Sequence, residues 1–247
     1  MGIPRIRFRI GTAGWSIPRE YAGDFGEGAS VLARYATRFD AVEINSSFYR
    51  PHRVDTYARW AASVPAGFRF SVKFPKEISH ELALRGTGPA LDQFLAQVDG
   101  LGKRLGCLLL QLPPSMSFDA QVAARFFGML RRRTAAPVTC EPRHASWFTP
   151  AADALLDRYR VSRTAADPGR FPLSSEPGGA PGLPYFRWHG APRMYYSAYE
   201  NDALLALAAQ VRAAARGRHI PWIIFDNTAL GFATRDAMRL KAVLQST

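Results

Sequence analysis

Short runs of β-branched and aromatic residues alternate with longer alanine- and leucine-rich segments of helical period along the 247-residue chain. Such alternation is typical of repeated βα units. Eight runs have the length and composition of strands, at residues 7–11, 41–45, 68–74, 106–112, 138–141, 161–164, 185–189 and 221–225. Helical patterns lie between them, at residues 29–38, 54–63, 89–103, 119–131, 150–158, 204–216 and 234–244.

The count and the order of these segments favour one fold class. Eight parallel strands with intervening helices in about 250 residues are typical of a (β/α)8 barrel. The sequence therefore predicts an α/β protein with one TIM barrel over residues 1–247, in which an irregular Pro/Gly loop at 167–184 replaces the helix after strand six. A doubly wound open sheet is the alternative, but residues 11–15 lack the third glycine of a dinucleotide-binding turn.

Alternation within the strands predicts which side chains face inward. In the strand at 68–74 the apolar residues Phe70, Val72 and Phe74 suit the helix layer, which leaves Ser71 and Lys73 on the inner side. The same rule sends polar residues of four further strands inward: Glu43, Asn45, Gln111, Thr139, Glu141, Arg187 and His189. Because buried charges are costly unless paired or used, this convergence predicts a ligand site at the strand ends.

The residue types at these ends are those of acid–base chemistry. The candidate catalytic residues are Glu43, Lys73, Glu141, His144 and His189. A carboxylate takes a proton, an imidazole returns it, and cations hold an anionic oxygen. Lys73 instead forms a Schiff base if burial among cations lowers its pKa. A purely structural role, in which the acidic and basic residues only pair with one another, remains the alternative for each residue alone.

A second set of residues is expected to bind the substrate. It comprises Trp15, Asn45, Tyr49, His80, Gln111, Arg143, Asp167, Arg187 and Asn227. Aromatic and amide side chains suit sugars, and guanidinium groups suit anions. Alternation does not decide whether Asp226 or Asn227 faces the site at the end of the eighth strand.

Several of these segments, taken in order, resemble one known family. They are residues 11–15 (GTAGW), 42–49 (VEINSSFY), 70–73 (FSVK), 79–80 (SH), 110–114 (LQLPP), 141–147 (EPRHASW) and 187–190 (RWHG). The match is to the YecE-like family, number seventy-two among the domains of unknown function. The resemblance implies a TIM barrel akin to xylose isomerases and endonuclease-IV-like phosphodiesterases, and no settled activity. One departure, Asp226 followed by Asn227 where two asparagines precede an aspartate, moves a carboxylate by two positions.

Composition limits the partners only in part. The formal net charge is +12, from 32 basic and 20 acidic residues, and 28 of the basic residues are arginines. A solvated arginine-rich surface explains this charge as well as a nucleic-acid surface does. No apolar run reaches membrane-spanning length, and residues 1–10 alternate without the hydrophobic block of a signal peptide, so we expect a cytoplasmic protein without a membrane partner.

These observations favour an enzyme, a hydrolase, lyase or isomerase, that acts on an anionic or polyol small molecule such as a sugar or a phosphorylated compound. A metal-dependent phosphodiesterase or isomerase and a non-catalytic nucleic-acid-binding protein are the alternatives. No cofactor is predicted, and a divalent metal belongs only to the first alternative. The oligomeric state stays open.

Overall fold

All eight predicted strand segments contain a strand in the computed structural model, which describes residues 6–216 and 219–246. Residues 1–5 of the alternating N-terminal segment lie outside the described residues. The strands are β1 (Arg9–Thr12), β2 (Ala41–Ile44), β3 (Arg69–Lys73), β4 (Leu105–Gln111), β5 (Val138–Glu141), β6 (Val161–Arg163), β7 (Ala165–Asp167), β8 (Gly178–Gly179), β9 (Tyr185–Trp188) and β10 (Trp222–Phe225).

The seven predicted helical segments also form helices. They are α1 (Val31–Tyr35), α2 (Val54–Ala62), α3 (Gly88–Val98), α4 (Ala120–Arg133), α5 (Pro150–Arg158), α6 (Asn201–Ala214) and α7 (Phe232–Gln245). Side-chain caps set some starts: Asp119 accepts hydrogen bonds from the first turn of α4, and Thr149 does the same for α5. Among the described residues, no helix combines the length and the apolar character that a bilayer crossing requires.

The prediction of a single barrel of eight parallel strands is wrong. The strands form two sheets, one in the order β1-β10-β9-β7 and one in the order β2-β3-β4-β5-β6-β8. The first sheet is parallel throughout, whereas β8 runs antiparallel to β6 in the second. Two interruptions in strand pairing separate the sheets, and each has an identifiable local cause.

The first interruption lies between β1 and β2 and is caused by Tyr35. Its hydroxyl sits between the two strands, where it accepts from Thr12 N at 2.8 Å and lies 3.2 Å from the carbonyl oxygen of Ala41. Only one bridge, between Ala13 and Glu43, pairs the two segments. The hydroxyl of Tyr35 therefore takes the place of direct backbone hydrogen bonds between β1 and β2.

The second interruption lies in the sixth predicted strand. Residues up to Arg163 pair with β5, whereas residues from Ala165 onward pair with β9. The other edge of β6 is covered by Gly178 and Gly179, which belong to the loop between β7 and β9. That loop contains no α-helix, as the sequence predicts. Arg163 anchors it by donating to the carbonyl oxygens of Leu173 and Glu176 at 2.7 and 3.2 Å.

The core follows the predicted alternation. Val42, Phe70, Val72 and Leu110 are fully buried among the apolar side chains that the helices contribute. The alternate residues of these strands include Glu43, Ser71, Lys73 and Gln111, which are also buried, so these polar side chains lie on the opposite face of each strand. This arrangement directs the charged residues of both sheets toward each other.

The position of Tyr35 leads to a stability prediction. The substitution Tyr35→Phe leaves Thr12 N and Ala41 O without their partner in a buried position, and an unsatisfied buried group costs about 1–3 kcal/mol. We expect the free energy of unfolding, measured in urea, to fall by about 2 kcal/mol. A variant as stable as the unchanged protein would show that water or direct β1–β2 bonds replace the hydroxyl.

Candidate functional site

One guanidinium joins carboxylates from both sheets. Arg187 on β9 approaches Glu43 through Nε (3.2 and 3.1 Å) and Nη2 (2.8 Å), Glu141 through Nη1 (3.1 Å) and Asp226 through Nη2 (2.9 Å). The Arg187 side chain is 1% exposed. We call Arg187, Glu43, Glu141, Asp226 and His189 the Arg187 cluster. Glu43 and Glu141 belong to one sheet. Arg187 belongs to the other sheet, and Asp226 directly follows β10 of that same sheet.

Glu141 is the most heavily bonded carboxylate of the cluster. Its Oε1 accepts from Gln111 Nε2 at 2.8 Å, from Arg143 Nε at 3.0 Å and lies 3.2 Å from His189 Nε2. Burial by itself would raise the pKa of Glu141, but Arg187, His189 and Arg143 outweigh burial and hold that pKa well below its usual value. Glu141 is therefore an anion at neutral pH, and both of its oxygens are engaged.

Glu43 is held in a similar way on the neighbouring side. Tyr185 donates its hydroxyl to Glu43 Oε2 at 2.9 Å, and the same hydroxyl lies 2.9 Å from Ser71 Oγ. Together with the contacts from Arg187, these bonds leave Glu43 completely buried and fixed in orientation. Glu43 orients the guanidinium and has no exposed oxygen for a substrate.

His189 bridges two carboxylates. Its Nδ1 lies 3.0 Å from Asp226 Oδ2 and its Nε2 lies 3.2 Å from Glu141 Oε1. Burial lowers the pKa of His189, but the two carboxylates outweigh burial and raise it. Since both acceptors are anions, the ring donates from both nitrogens as an imidazolium. His189 is a second buried cation beside Arg187.

Lys73 differs from the other charged residues of the site. Its side chain is buried, and its amine makes no hydrogen bond or ion pair with any residue in the described part of the chain. The amine lies 4.2 Å from the centre of the Phe48 ring. Burial, reinforced by Arg187 and opposed by the three carboxylates, lowers the pKa of Lys73 to about 8. A measurable fraction of the amine is therefore neutral near pH 7.

Three further predicted residues surround Lys73 and the cluster. Arg143 donates from Nη2 to Tyr195 Oη at 3.4 Å as well as to Glu141. Asn45 donates from Nδ2 to Asp226 Oδ1 at 3.4 Å. Burial, followed by the charges of Lys73 and Arg143, lowers the pKa of His80, so its imidazole is neutral at pH 7.

Three other predicted residues have contacts or exposure of a different kind. His144 Nδ1 accepts from Ser146 N at 3.2 Å and caps the short helical turn that follows, which is a structural role. Trp15 packs edge-on against Trp60, with ring centres 5.0 Å apart. Tyr49 is 79% exposed. The position of His144 in the loop after β5 does not reveal from the sequence whether its side chain caps a turn or faces a site.

The structure decides between Asp226 and Asn227. Asp226 joins the cluster, whereas Asn227 turns away and donates to Asp236 Oδ2 at 2.8 Å. Asp167 lies outside the contacts of Arg187 and accepts from Tyr199 Oη at 2.8 Å. The pairing of β9 with β10 places Asp226 one step beyond the Trp188–Phe225 pair, level with His189. Strand register is the signal that identifies Asp226, and it is not visible in the sequence.

The donor groups of the site do not fit a metal ion. Among residues 6–216 and 219–246, no group of three or more His, Cys, Asp or Glu side chains is arranged to hold one. The three carboxylates of the cluster already face Arg187, and a dication in the same place would be repelled by that guanidinium. The site is cationic, with no open set of anionic ligands.

Comparison with known proteins gives a consistent match. The family model described as "Protein of unknown function DUF72" matches residues 9–247. The UPF0759 protein YecE of Escherichia coli (strain K12) is 36% identical over 104 residues, which cover 42% of this chain and 37% of that protein. The YecE protein of Escherichia coli O157:H7 matches with the same values. The chain thus spans 37% of the length of the curated relatives it matches.

Solved structures are similar over nearly the whole chain. A DUF72 family protein from Enterococcus faecalis V583 superimposes with a TM-score of 0.81 at 23% identity, covering 96% of this chain and 95% of that one. A DUF72 family protein from Thermotoga maritima MSB8 superimposes with a TM-score of 0.79 at 24% identity, covering 97% and 99%. These likenesses show a shared fold.

The geometry of the cluster predicts a large effect of removing Arg187. The substitution Arg187→Leu leaves buried carboxylates uncompensated, which costs about 3–5 kcal/mol. Because the pKa values of Glu141 and Asp226 are lowered in the folded protein, their ion pairs stabilise the fold above about pH 4.5 and are lost as the pH falls through the folded values. The free energy of unfolding in urea should therefore differ most between Arg187→Leu and the unchanged protein near pH 7, and this difference should become smaller below about pH 4.

The matched control is Arg133→Leu, which removes an exposed ion pair with Asp92. We expect this variant to unfold at nearly the same urea concentration as the unchanged protein at both pH values. If the loss in free energy of unfolding caused by Arg187→Leu grows as the pH falls, the cluster is not an ionised network.

Proposed function

Since the chain belongs to the DUF72 family, whose function is unknown, we propose that it is an enzyme that acts on the carbonyl group of an anionic or polyol small molecule, with Lys73 as the reactive amine. The observation that carries this proposal is the unpaired Lys73 amine at the ends of the strands, beside three carboxylates that are bonded to other cations. A lyase or an isomerase reaction suits this arrangement.

The amine of Lys73 suits nucleophilic attack because it keeps its lone pair near neutral pH. With a pKa of about 8, roughly a tenth of the amine is neutral at pH 7, far more than for an exposed lysine. The nitrogen attacks the carbonyl carbon and a C=N bond replaces C=O. The carbonyl oxygen leaves as water with both protons of the amine. No oxidant or reductant is needed.

The cations beside Lys73 support binding of an anionic group. Arg143 donates from Nε to Glu141 and from Nη2 to Tyr195, and its Nη1 has no hydrogen bond to a described residue. The Arg143 side chain is 18% exposed, so this nitrogen is open to a carboxylate or a phosphate. Arg143 is the residue that we assign to the charged end of the substrate.

Proton exchange falls to His80 in this proposal, and not to His144 or His189. His189 has both ring nitrogens bound by carboxylates, and His144 caps a turn. His80 contacts Ser79 Oγ through Nδ1 at 2.8 Å and interacts electrostatically with Lys73. A neutral imidazole beside the amine is able to accept and return a proton. Glu43 and Glu141 then position Arg187 and Arg143.

Support for the metal-dependent alternative is weaker. That alternative needs open carboxylate and imidazole ligands. In the described part of the chain the carboxylates of the site face Arg187, and His189 is bound between two of them. The amine mechanism instead uses Lys73 as a partly neutral amine and leaves Glu43 and Glu141 paired with Arg187.

Reductive trapping tests the role of Lys73. Incubation with glyceraldehyde 3-phosphate and cyanoborohydride, followed by peptide mapping, should modify Lys73 faster than the exposed Lys76, which pairs with Glu81. The chain has only 4 lysines, so the modified site is unambiguous. Since only the neutral amine attacks, the ratio of the rates at Lys73 and Lys76 should be largest near pH 7 and fall toward pH 10, where the exposed lysine also loses its proton.

Two variants serve as controls. Lys73→Met should lose the fast reaction, and Lys76→Met should keep it. Equal rates at all four lysines, or a Lys73 reaction that begins only near pH 10, contradict the proposed function.

A further inference from the structure

An acceptor atom at the end of β2, the strand that neighbours Lys73, has no partner within the described residues. Asn45 Oδ1 is buried and makes no hydrogen bond, although Nδ2 of the same side chain reaches Asp226 Oδ1 at 3.4 Å. An unsatisfied buried amide oxygen is unfavourable in a folded protein unless a water molecule or a ligand donates to it. The contact of Nδ2 with Asp226 fixes which end of the amide carries the free oxygen.

The strand register brings Asn45 and Lys73 to the same end of two neighbouring strands. In the pairing of β2 with β3, Glu43 lies opposite Ser71 and Ile44 opposite Val72. Asn45 follows β2 directly and Lys73 is the last residue of β3, so the two residues come next after this pair. Neighbouring strands lie about 4.8 Å apart, so one small molecule spans both side chains. Lys73 also interacts electrostatically with Asp226, which Asn45 contacts.

We propose that the substrate carries a hydroxyl group on the carbon next to its carbonyl, and that Asn45 selects this hydroxyl by accepting its hydrogen bond. This inference rests on the proposed function, since it takes Lys73 as the residue that binds the carbonyl carbon. Asn45 Oδ1 accepts hydrogen bonds and donates none, so it pairs with a hydroxyl and not with a ketone or an ether. The substrate class is therefore a 2-hydroxy aldehyde or ketone of the sugar type.

Asp226 adds a second acceptor of the same kind. Its Oδ2 is engaged by Arg187 and His189, whereas among the described residues its Oδ1 has only the long contact from Asn45. A carboxylate oxygen with a free lone pair accepts from a further hydroxyl. Two acceptors side by side suit a polyol chain better than a substrate with a single hydroxyl.

A matched pair of aldehydes tests this inference. Glycolaldehyde and propanal have the same number of heavy atoms and differ in one hydroxyl on the carbon next to the carbonyl. Each is trapped on the protein with cyanoborohydride at pH 8, and the initial rate at Lys73 is divided by the rate at Lys76 of the same molecule. This ratio removes the different intrinsic reactivity of the two aldehydes.

We expect the Lys73:Lys76 ratio to be at least about tenfold higher for glycolaldehyde than for propanal, because propanal leaves Asn45 Oδ1 unpaired. The variant Asn45→Leu has similar size and no acceptor, and it should bring the two ratios to within about twofold of each other. The exposed Asn201 provides the control, since Asn201→Leu should keep the tenfold preference.

Each outcome has a separate meaning. Fast trapping at Lys73 with equal ratios for the two aldehydes overturns the hydroxyl preference and leaves the proposed function standing. A preference that persists in Asn45→Leu overturns the role of Asn45. No selective trapping at Lys73 by either aldehyde contradicts the proposed function itself. The comparison of aldehydes on the unchanged protein does not depend on the folding of any variant.

Discussion

Arg187 holds three carboxylates that come from two different sheets, and its removal leaves no other group able to compensate all three. Glu43 and Glu141 approach from the sheet of β2 and β5, and Asp226 follows β10 of the other sheet. The two sheets are not continuous, because Tyr35 separates β1 from β2 and the sixth predicted strand changes partners. Charge pairing across the gap therefore joins sheets that share no strand ladder and, at the β1–β2 gap, only the Ala13–Glu43 bridge between the described strands. A buried network of this kind is stable only when every member is present.

The same network determines the state of Lys73. Glu141 is bonded by Arg187, Arg143 and Gln111, and Glu43 by Arg187 and Tyr185. A lysine with a carboxylate partner would keep its proton to high pH, but the carboxylates near Lys73 are occupied by stronger donors. Arg187 then acts on the amine as a repelling charge. The reactivity that we propose for Lys73 is thus a consequence of how the surrounding acids are paired.

The strands, the helices and much of the site could be predicted from the sequence because they depend on local alternation. The segment 68–74 predicts β3 and the inward direction of Lys73, and the same rule identifies Glu43 and Arg187. Sheet pairing could not be predicted, since the phenol of Tyr35 reaches β1 and β2 from α1, which is a tertiary contact. The choice of Asp226 over Asn227 depends on strand register, and the capping role of His144 depends on a turn geometry that residue types do not reveal.

The arginine-rich composition has a chemical consequence at this site. Of the 32 basic residues 28 are arginines, and an arginine stays charged at any physiological pH and does not attack a carbonyl carbon. The buried cations that hold the carboxylates are accordingly arginines and His189, which contacts a carboxylate through each ring nitrogen. The single lysine of the site is the unpaired cation among the described residues there. A lysine in place of Arg187 would offer a point charge where three carboxylates need a planar fork of donors. An arginine in place of Lys73 would occupy a similar volume, but its protonated guanidinium has no nitrogen lone pair available to attack a carbonyl carbon. The two cation types are therefore not interchangeable here, and their distribution separates the groups that build the site from the group that reacts in it.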